Sequence, residues 1–247
     1  MTLRAARRAV ALGSLLLFCL ARSVVQRLRG PDTFERRAQW LHESAVLVMK
    51  RLGIGLRIVG EPPSDGLIVA NHLSYLDILI FGAACPCYLV SKAQIGSWPL
   101  FGILARAGGT IFVDRSSRVS AESVTDEIAA RLAGPVPVLF FPEGTSTDGT
   151  RLLRFHSRFY VPAVAAAVPV TAAAVRYIPE DGVPESEVCW FGDAPFLPHL
   201  WKVLGGPDLS AEVHFGQPRV YENRRTAAAE TYGEIAAMRE QGAPVLQ

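Results

Sequence analysis

From residue 56 onward, short apolar runs alternate with stretches in which apolar residues recur every three or four positions. The runs 56–60, 67–70, 88–90, 110–113 and 136–141 are short and bounded by Gly, Pro or Asp, which predicts strands. Runs 168–177, 187–191 and 211–215 predict three more. Between them, 77–82, 119–132 and 158–167 carry helical spacing, and 97–107 reads as a helix or a pair of turns, with Pro99 near its start. A closing helix is predicted over 224–240. Strands separated by helices imply βαβ units and a mainly parallel sheet flanked by helices. No repeat, low-complexity tract or linker interrupts the pattern, and 179–187 and 205–208 read as surface loops. The expected fold class is therefore α/β, a single domain.

The N-terminus follows a different pattern. Residues 9–21 are mostly apolar and flanked by Arg4, Arg7, Arg8 and Arg22. As a helix this run is roughly 20 Å long, short of a bilayer core. On pattern alone it reads first as a cleaved signal peptide. A single span with snorkelling arginines and a one-leaflet anchor are the competing readings. Gly30-Pro31 breaks the segment. Asp32 with Glu35 then reads as a capping box, opening a helix with Phe34, Ala38, Leu41, Ala45, Val48 and Leu52 on one face. That stripe serves equally for core packing and for an interfacial helix. Together the two helices make a candidate membrane-associating hairpin over residues 1–53, ahead of a body over 54–247.

Charge sharpens this division. The 247 residues carry a net charge of only +2. Residues 1–37 hold eight Arg against Asp32 and Glu35, or +6; the rest holds 17 Lys and Arg against 21 Asp and Glu, or −4. A basic, apolar arm on a mildly acidic body suits an anionic membrane surface. Nucleic acid is not expected as a partner, because the body has no basic stripe and Leu15-Leu16-Leu17-Phe18 sits among the arginines. The cysteines are 19, 85, 87 and 189; only Cys85-Pro86-Cys87 is clustered, so neither a metal nor a structural disulfide is expected.

In such a sheet, reactive groups gather where strands end and helices begin. Three of these junctions are polar: Asn71-His72, Asp114-Arg115, and Glu143-Gly144-Thr145-Ser146. A carboxylate on Nδ1 of a histidine fixes its tautomer and frees Nε2 to take a proton. The five-residue spacing of His72 and Asp77 permits this if Asp77 lies one turn into a helix. Taken alone, such a pair is more often a structural hydrogen bond. Ser74 lacks the strand-to-helix elbow of a nucleophile, so the pair suits direct deprotonation of a substrate hydroxyl. The turn at 141–145 exposes amides that can hold an oxyanion, though alone it is equally a surface turn. Arg115 is a candidate cation for a phosphate or carboxylate.

Taken together, these stretches resemble the glycerophospholipid acyltransferase family, in particular bacterial 1-acylglycerol-3-phosphate acyltransferases. The family's N-H-x-x-x-x-D block is matched by Asn71-His72 through Asp77. Its G-x-I-F-[VI]-x-R block is matched by Gly109–Arg115, its F-P-E-G-[TS] block by Phe141 to Thr145, and its V-P-[VI] block by Val168-Pro169-Val170. All four occur in order, within residues 56–180.

The resemblance implies roles. His72 is the base, Asp77 its orienter, and Gly144 with neighbouring amides the oxyanion donors; Arg115, Glu143, Gly144 and Thr145 bind substrate. The acyl donor is acyl-CoA or acyl-ACP, used as a co-substrate, with no cofactor and no metal. The acceptor is a lyso-lipid, first 1-acylglycerol 3-phosphate. Because the donors are cytosolic, the arm becomes an uncleaved anchor on the cytoplasmic side of the cytoplasmic membrane. One position departs from the family pattern. Members acting on glycerol phosphates often carry Arg directly after F-P-E-G-T, and here Ser146 stands there, with Arg151 or Arg154 as candidate replacements. Residues 141–149, 190–193 and 196–201 are similar to lyso-ornithine lipid acyltransferases, whose acceptor lacks the phosphate. A non-catalytic membrane-binding scaffold is the third reading.

Overall fold

The computed structural model describes residues 2–113 and 118–241, the side chains of residue 2 and of 118–124 excepted. The first helix, α1 (Thr2–Leu28), has 27 residues and is about 40 Å long. It outruns the apolar stretch because arginine is itself a good helix former and no proline intervenes before Pro31. It is thereby long and apolar enough to cross a membrane, where the sequence run alone was too short. Val10, Leu17, Phe18, Val24 and Val25 are exposed along it. Several arginines turn inward to the body or to the second helix instead. Arg4 and Arg8 pair with Asp208, Arg8 also donates to the Gly206 carbonyl, and Arg22 pairs with Glu43.

A second helix, α2 (Phe34–Leu52), begins one residue later than the capping box predicts. Its N-cap is Thr33, whose Oγ1 accepts from the Arg36 amide, while Asp32 is held by the Arg37 guanidinium at 2.6 and 2.8 Å. Two arginines within reach favour an ion pair over a cap. The helix ends on Gly53 at φ 71°, a left-handed cap that glycine adopts without strain. Ala38, Ala45, Val48 and Leu52 of the predicted stripe are buried. Phe34 is not; it is 43% exposed, with the Arg131 guanidinium 3.3 Å from its ring centroid. Trp40 Nε1 donates to the Cys19 carbonyl at 3.1 Å and closes the hairpin.

The body runs β1 (Ile54–Val59), β2 (Leu67–Ala70), α3 (Leu76–Ala84), β3 (Tyr88–Lys92), α4 (Phe101–Ala107), β4 (Ile111–Val113), α5 (Arg118–Leu132), β5 (Val138–Phe140), α6 (Val161–Ala165), β6 (Val170–Pro179), α7 (Phe196–Gly205), β7 (Leu209–Phe215) and α8 (Arg224–Gln241). The strands form one sheet, ordered β1-β7-β6-β2-β5-β3-β4, parallel throughout except for the β6–β7 pair. Every residue of β2 is buried, as a central strand covered on both faces requires. Leu67 and Val69 pack with Ile128, Ala163 and Ile235 on one face; Ile68 and Ala70 pack with Ala45, Ile80 and Phe81 on the other.

Two predicted elements differ. Residues 187–191 are not a strand. A 3₁₀ turn over Glu185–Glu187 leads into an irregular loop whose amides already have partners: Val188 bonds to Glu185, and Trp190 bonds to Leu73. The following helix, α7, was read only as a motif, although Phe196, Leu200, Val203 and Leu204 fall on one face. Pro198 is tolerated there because it sits in the first turn. Pro162 similarly occupies the first turn of α6, so the predicted helix 158–167 becomes a 3₁₀ turn followed by a short α-helix.

Candidate active site

Strands β2 and β5 are parallel neighbours, with Val69 beside Phe140, so the segments that follow them leave the sheet side by side. The first is locked at its root by Asn71. Its side chain donates to the Val175 carbonyl at 3.1 Å and accepts from the Val175 amide at 2.8 Å, extending the β2–β6 ladder beyond the strand. The chain then folds over residues 72–75 into α3, and Asp77 lies in its first turn.

Asp77 is wholly buried. Its Oδ2 accepts from Nδ1 of His72 at 2.7 Å, from the Leu73 amide at 2.7 Å and from the Ser74 amide at 3.1 Å. Its Oδ1 accepts from the Tyr177 hydroxyl. A carboxylate at a helix N-terminus faces the aligned amides there, and four donors ring this one. The predicted His72–Asp77 pair is thus formed, with Nδ1 committed. The imidazole stacks on Phe141, ring centroids 4.2 Å apart, and its side chain is 22% exposed. Nε2 has no hydrogen-bond partner among the described residues.

The second segment brings Glu143 to the same place for a different purpose. Its Oε1 accepts from the His72 amide at 2.9 Å and its Oε2 from the Leu153 amide at 2.8 Å. The residue is only 4% exposed. Burial pushes its carboxyl up, against the opposing pull of the two amides. Both oxygens are therefore occupied by the protein's own backbone. Gly144 follows at φ 76°, where a side chain would be strained, and its amide closes the turn onto the Phe141 carbonyl at 3.1 Å. The amides of Thr145 and Ser146, by contrast, have no partner among the described residues. The Thr147 amide donates to the His72 carbonyl at 2.9 Å, stitching the two segments together.

A third segment covers them. Ser146 Oγ donates to the Trp190 carbonyl at 2.5 Å, and the Trp190 amide donates to the Leu73 carbonyl at 2.9 Å. Tyr75, adjacent in sequence, meets Trp190, Phe196 and His199 edge-on, with its hydroxyl 3.1 Å from His199 Nδ1. Behind the site, Arg239 of α8 donates to the carbonyls of Gly149 and Val175 and pairs with Glu185. Sequence reasoning missed Tyr177 and Arg239, and reached Trp190 only as part of the 190–193 stretch. For Tyr177 a signal existed: the alternation of β6 puts it on the face of Thr171, Ala173 and Val175.

His72, Gly144, Thr145 and Ser146 open onto a cavity of about 380 Å³. Its walls are apolar, with Leu12 and Leu16 of α1, Trp40 and Val48 of α2, Leu79 of α3, Leu104 of α4, and Phe196 and Leu200 of α7. No carboxylate lines it, and Arg8 and Lys92 are its cations among the described residues. A base facing a long apolar cavity beside two free amides can deprotonate a hydroxyl and stabilise an oxyanion on a substrate with a hydrocarbon tail. Of the predicted site residues, His72, Asp77, Glu143, Gly144 and Thr145 come together. Arg115 lies outside the described residues.

The chain is similar to known proteins. Residues 60–176 match the family model described as Acyltransferase. The chain is 35% identical over 197 residues to a lyso-ornithine lipid O-acyltransferase of Pseudomonas aeruginosa, covering 79% of this chain and 76% of that protein. It is 33% identical over 196 residues to a 1-acyl-sn-glycerol-3-phosphate acyltransferase of Neisseria meningitidis, covering 77% and 76%. The fold is that of the 1-acyl-sn-glycerophosphate acyltransferase PlsC of Thermotoga maritima, with a TM-score of 0.63, 17% identity, and 95% of this chain and 97% of that one covered. With a histidine–aspartate pair whose His72 lines the cavity, and a third of the aligned residues shared with enzymes it matches over three quarters of their length, this chain belongs to the glycerophospholipid acyltransferase family and is an acyltransferase.

Proposed function

We propose that the protein moves a fatty acyl group from a coenzyme A or acyl carrier protein thioester to the free hydroxyl of a lyso-aminolipid of the ornithine type. The observation that carries this choice is Ser146. It stands where phosphate-using members carry arginine, and its hydroxyl is tied to the Trp190 carbonyl, so it offers a phosphate no charge. The P. aeruginosa relative acts on such an acceptor by its name. This reverses the order of the two acceptors drawn from sequence. Lysophosphatidate remains the second reading, favoured by the N. meningitidis relative at nearly equal identity.

In this reading the acyl chain occupies the apolar cavity. His72 Nε2 takes the acceptor's hydroxyl proton, and the oxygen attacks the thioester carbonyl. The amides of Thr145 and Ser146 hold the resulting oxyanion; the Gly144 amide, spent on its turn, does not. Collapse expels the thiolate, which receives the proton from His72. Asp77 orients the ring and offsets its charge. Glu143 acts as a strut for His72 and not as a ligand for the acceptor. Arg115 is kept as the cation that meets the acceptor's anionic group. Residues 1–53 anchor residues 54–247 to the cytoplasmic face of the cytoplasmic membrane, where both lipids and the donors meet.

The test is transfer of labelled acyl groups by the purified protein to a panel of lyso-ornithine lipid and lysophosphatidate. Preference for lyso-ornithine lipid is expected, with Ser146→Arg shifting the ratio toward lysophosphatidate by about tenfold. A wild-type preference for the phosphate acceptor would reject the aminolipid assignment. His72→Ala is expected to lower turnover by ~10²–10⁴; retained turnover would remove His72 as the base.

A further inference from the structure

Asp77 holds its donors unevenly. Three of them, the His72 ring and the amides of Leu73 and Ser74, converge on Oδ2. Among the described residues, only the Tyr177 hydroxyl grips Oδ1. Both residues are buried, so no water replaces a lost partner there. We propose that Tyr177 is a positioning residue for acyl transfer: by holding Oδ1 it commits Oδ2 to His72, and it sets the pH above which His72 acts as a base. This rests on the reading of His72 as the general base.

The phenol is built to be fixed. Its strand neighbour Val175 is bonded on both backbone atoms to Asn71, and the Tyr177 amide donates to Glu185 Oε1 at 2.8 Å. The hydroxyl also stays a donor. Burial first, then the charge of Asp77, pushes its ionisation well above the ordinary tyrosine value. The other groups around the pair leave it this task. The Cys189 thiol is pushed up by burial and stays neutral. Glu185 is paired with Arg239, and Glu143 bonds the His72 amide, not its ring. Among the described residues no lysine or arginine contacts Asp77. Its charge is therefore balanced by neutral donors, and the phenol is one of four.

Removing that donor has a definite sign. A less stabilised carboxylate holds the imidazolium more strongly, so His72 gives up its proton at higher pH. Replacing Tyr177 with Phe is expected to lower kcat by about tenfold, leave the KM values within twofold, and move the acid limb of the kcat–pH profile upward by roughly 0.5–1 unit. Tyr160→Phe is the matched control. It removes an equally buried hydroxyl, bonded to Thr231 at 2.8 Å in the opposite core, and is expected to leave the limb in place. If Tyr177→Phe does not fold, 3,5-difluorotyrosine at position 177 retains the shape with a stronger donor and is expected to move the limb downward. An unmoved limb in the variant that folds, or an equal movement in Tyr160→Phe, overturns the proposal. His72→Ala separates the two readings. Turnover without His72 defeats the base assignment and Tyr177 with it; loss of turnover in His72→Ala with an unmoved limb in Tyr177→Phe defeats Tyr177 alone.

Discussion

The two segments that leave β2 and β5 each carry one buried carboxylate, and both carboxylates serve His72. Asp77 takes hold of the ring; Glu143 takes hold of the backbone amide. Asp77 draws three of its four donors from residues 72–74, just ahead of it in sequence. Glu143 reaches 71 residues back and ten forward, joining segments that share no local sequence. In the proposed reaction, one carboxylate conditions the chemistry and the other fixes where that chemistry sits. Similar burial and similar partners thus yield unlike roles under that proposal, because a ring nitrogen can take up a proton and a backbone amide does not.

The contrast is broken most forcefully at Asp77. Asp77→Asn keeps the shape but offers an amide in place of a charge, and is expected to lower kcat by about 10³–10⁴ through the wrong histidine tautomer. Steady-state kinetics check this, and a loss below tenfold would mean that the carboxylate is only structural. Glu143→Gln is expected to cost far less, about tenfold in kcat and about 1–2 kcal/mol of stability from a weakened buried hydrogen bond. A loss equal to that of Asp77→Asn would erase the distinction between the two.

The same variant has a signed pH dependence. Burial raises the Glu143 carboxyl in the folded protein above its ordinary value of 4.5, so the folded state binds the extra proton. Wild-type stability contributed by this group is present at low pH and is lost as pH rises from about 4.5 through the raised folded value. Glutamine does not titrate. The stability gap between wild type and Glu143→Gln is therefore expected to narrow as pH rises through that window, read as Tm against pH. A widening gap would contradict the buried, raised carboxyl. The smallest effect is expected at Thr147→Val. The main-chain bond from Thr147 to the His72 carbonyl survives, so kcat should change by less than about twofold; a larger fall would give the hydroxyl a part in aligning the two segments.

This division also explains what the sequence revealed. The His72–Asp77 pair was legible because its partners lie within one loop and one helical turn. The strand–helix alternation was legible because period 2 and period 3.6 are local properties. Tyr177, 100 residues beyond Asp77, was not legible by spacing, although its side of β6 was. Glu143 was found as a residue but its backbone partners were not, because nothing local indicates that both oxygens face backbone. Residues 187–191 have the composition of a strand, yet the amides of Val188, Cys189 and Trp190 are claimed by Glu185 and Leu73 from outside that run. The α2 cap moved from Asp32 to Thr33 because Arg37 competes for the carboxylate at close range.

The position of α1 carries a practical consequence. Its basic end is pinned to Asp208, and its Leu12 and Leu16 are cavity wall. If the arm is the anchor and the cavity the acyl site, as proposed, trimming the arm to make a water-soluble enzyme would do more than release the protein from lipid. It would admit water to the space proposed for the hydrocarbon tail, and the remnant would be a different catalyst with a shallower sense of chain length.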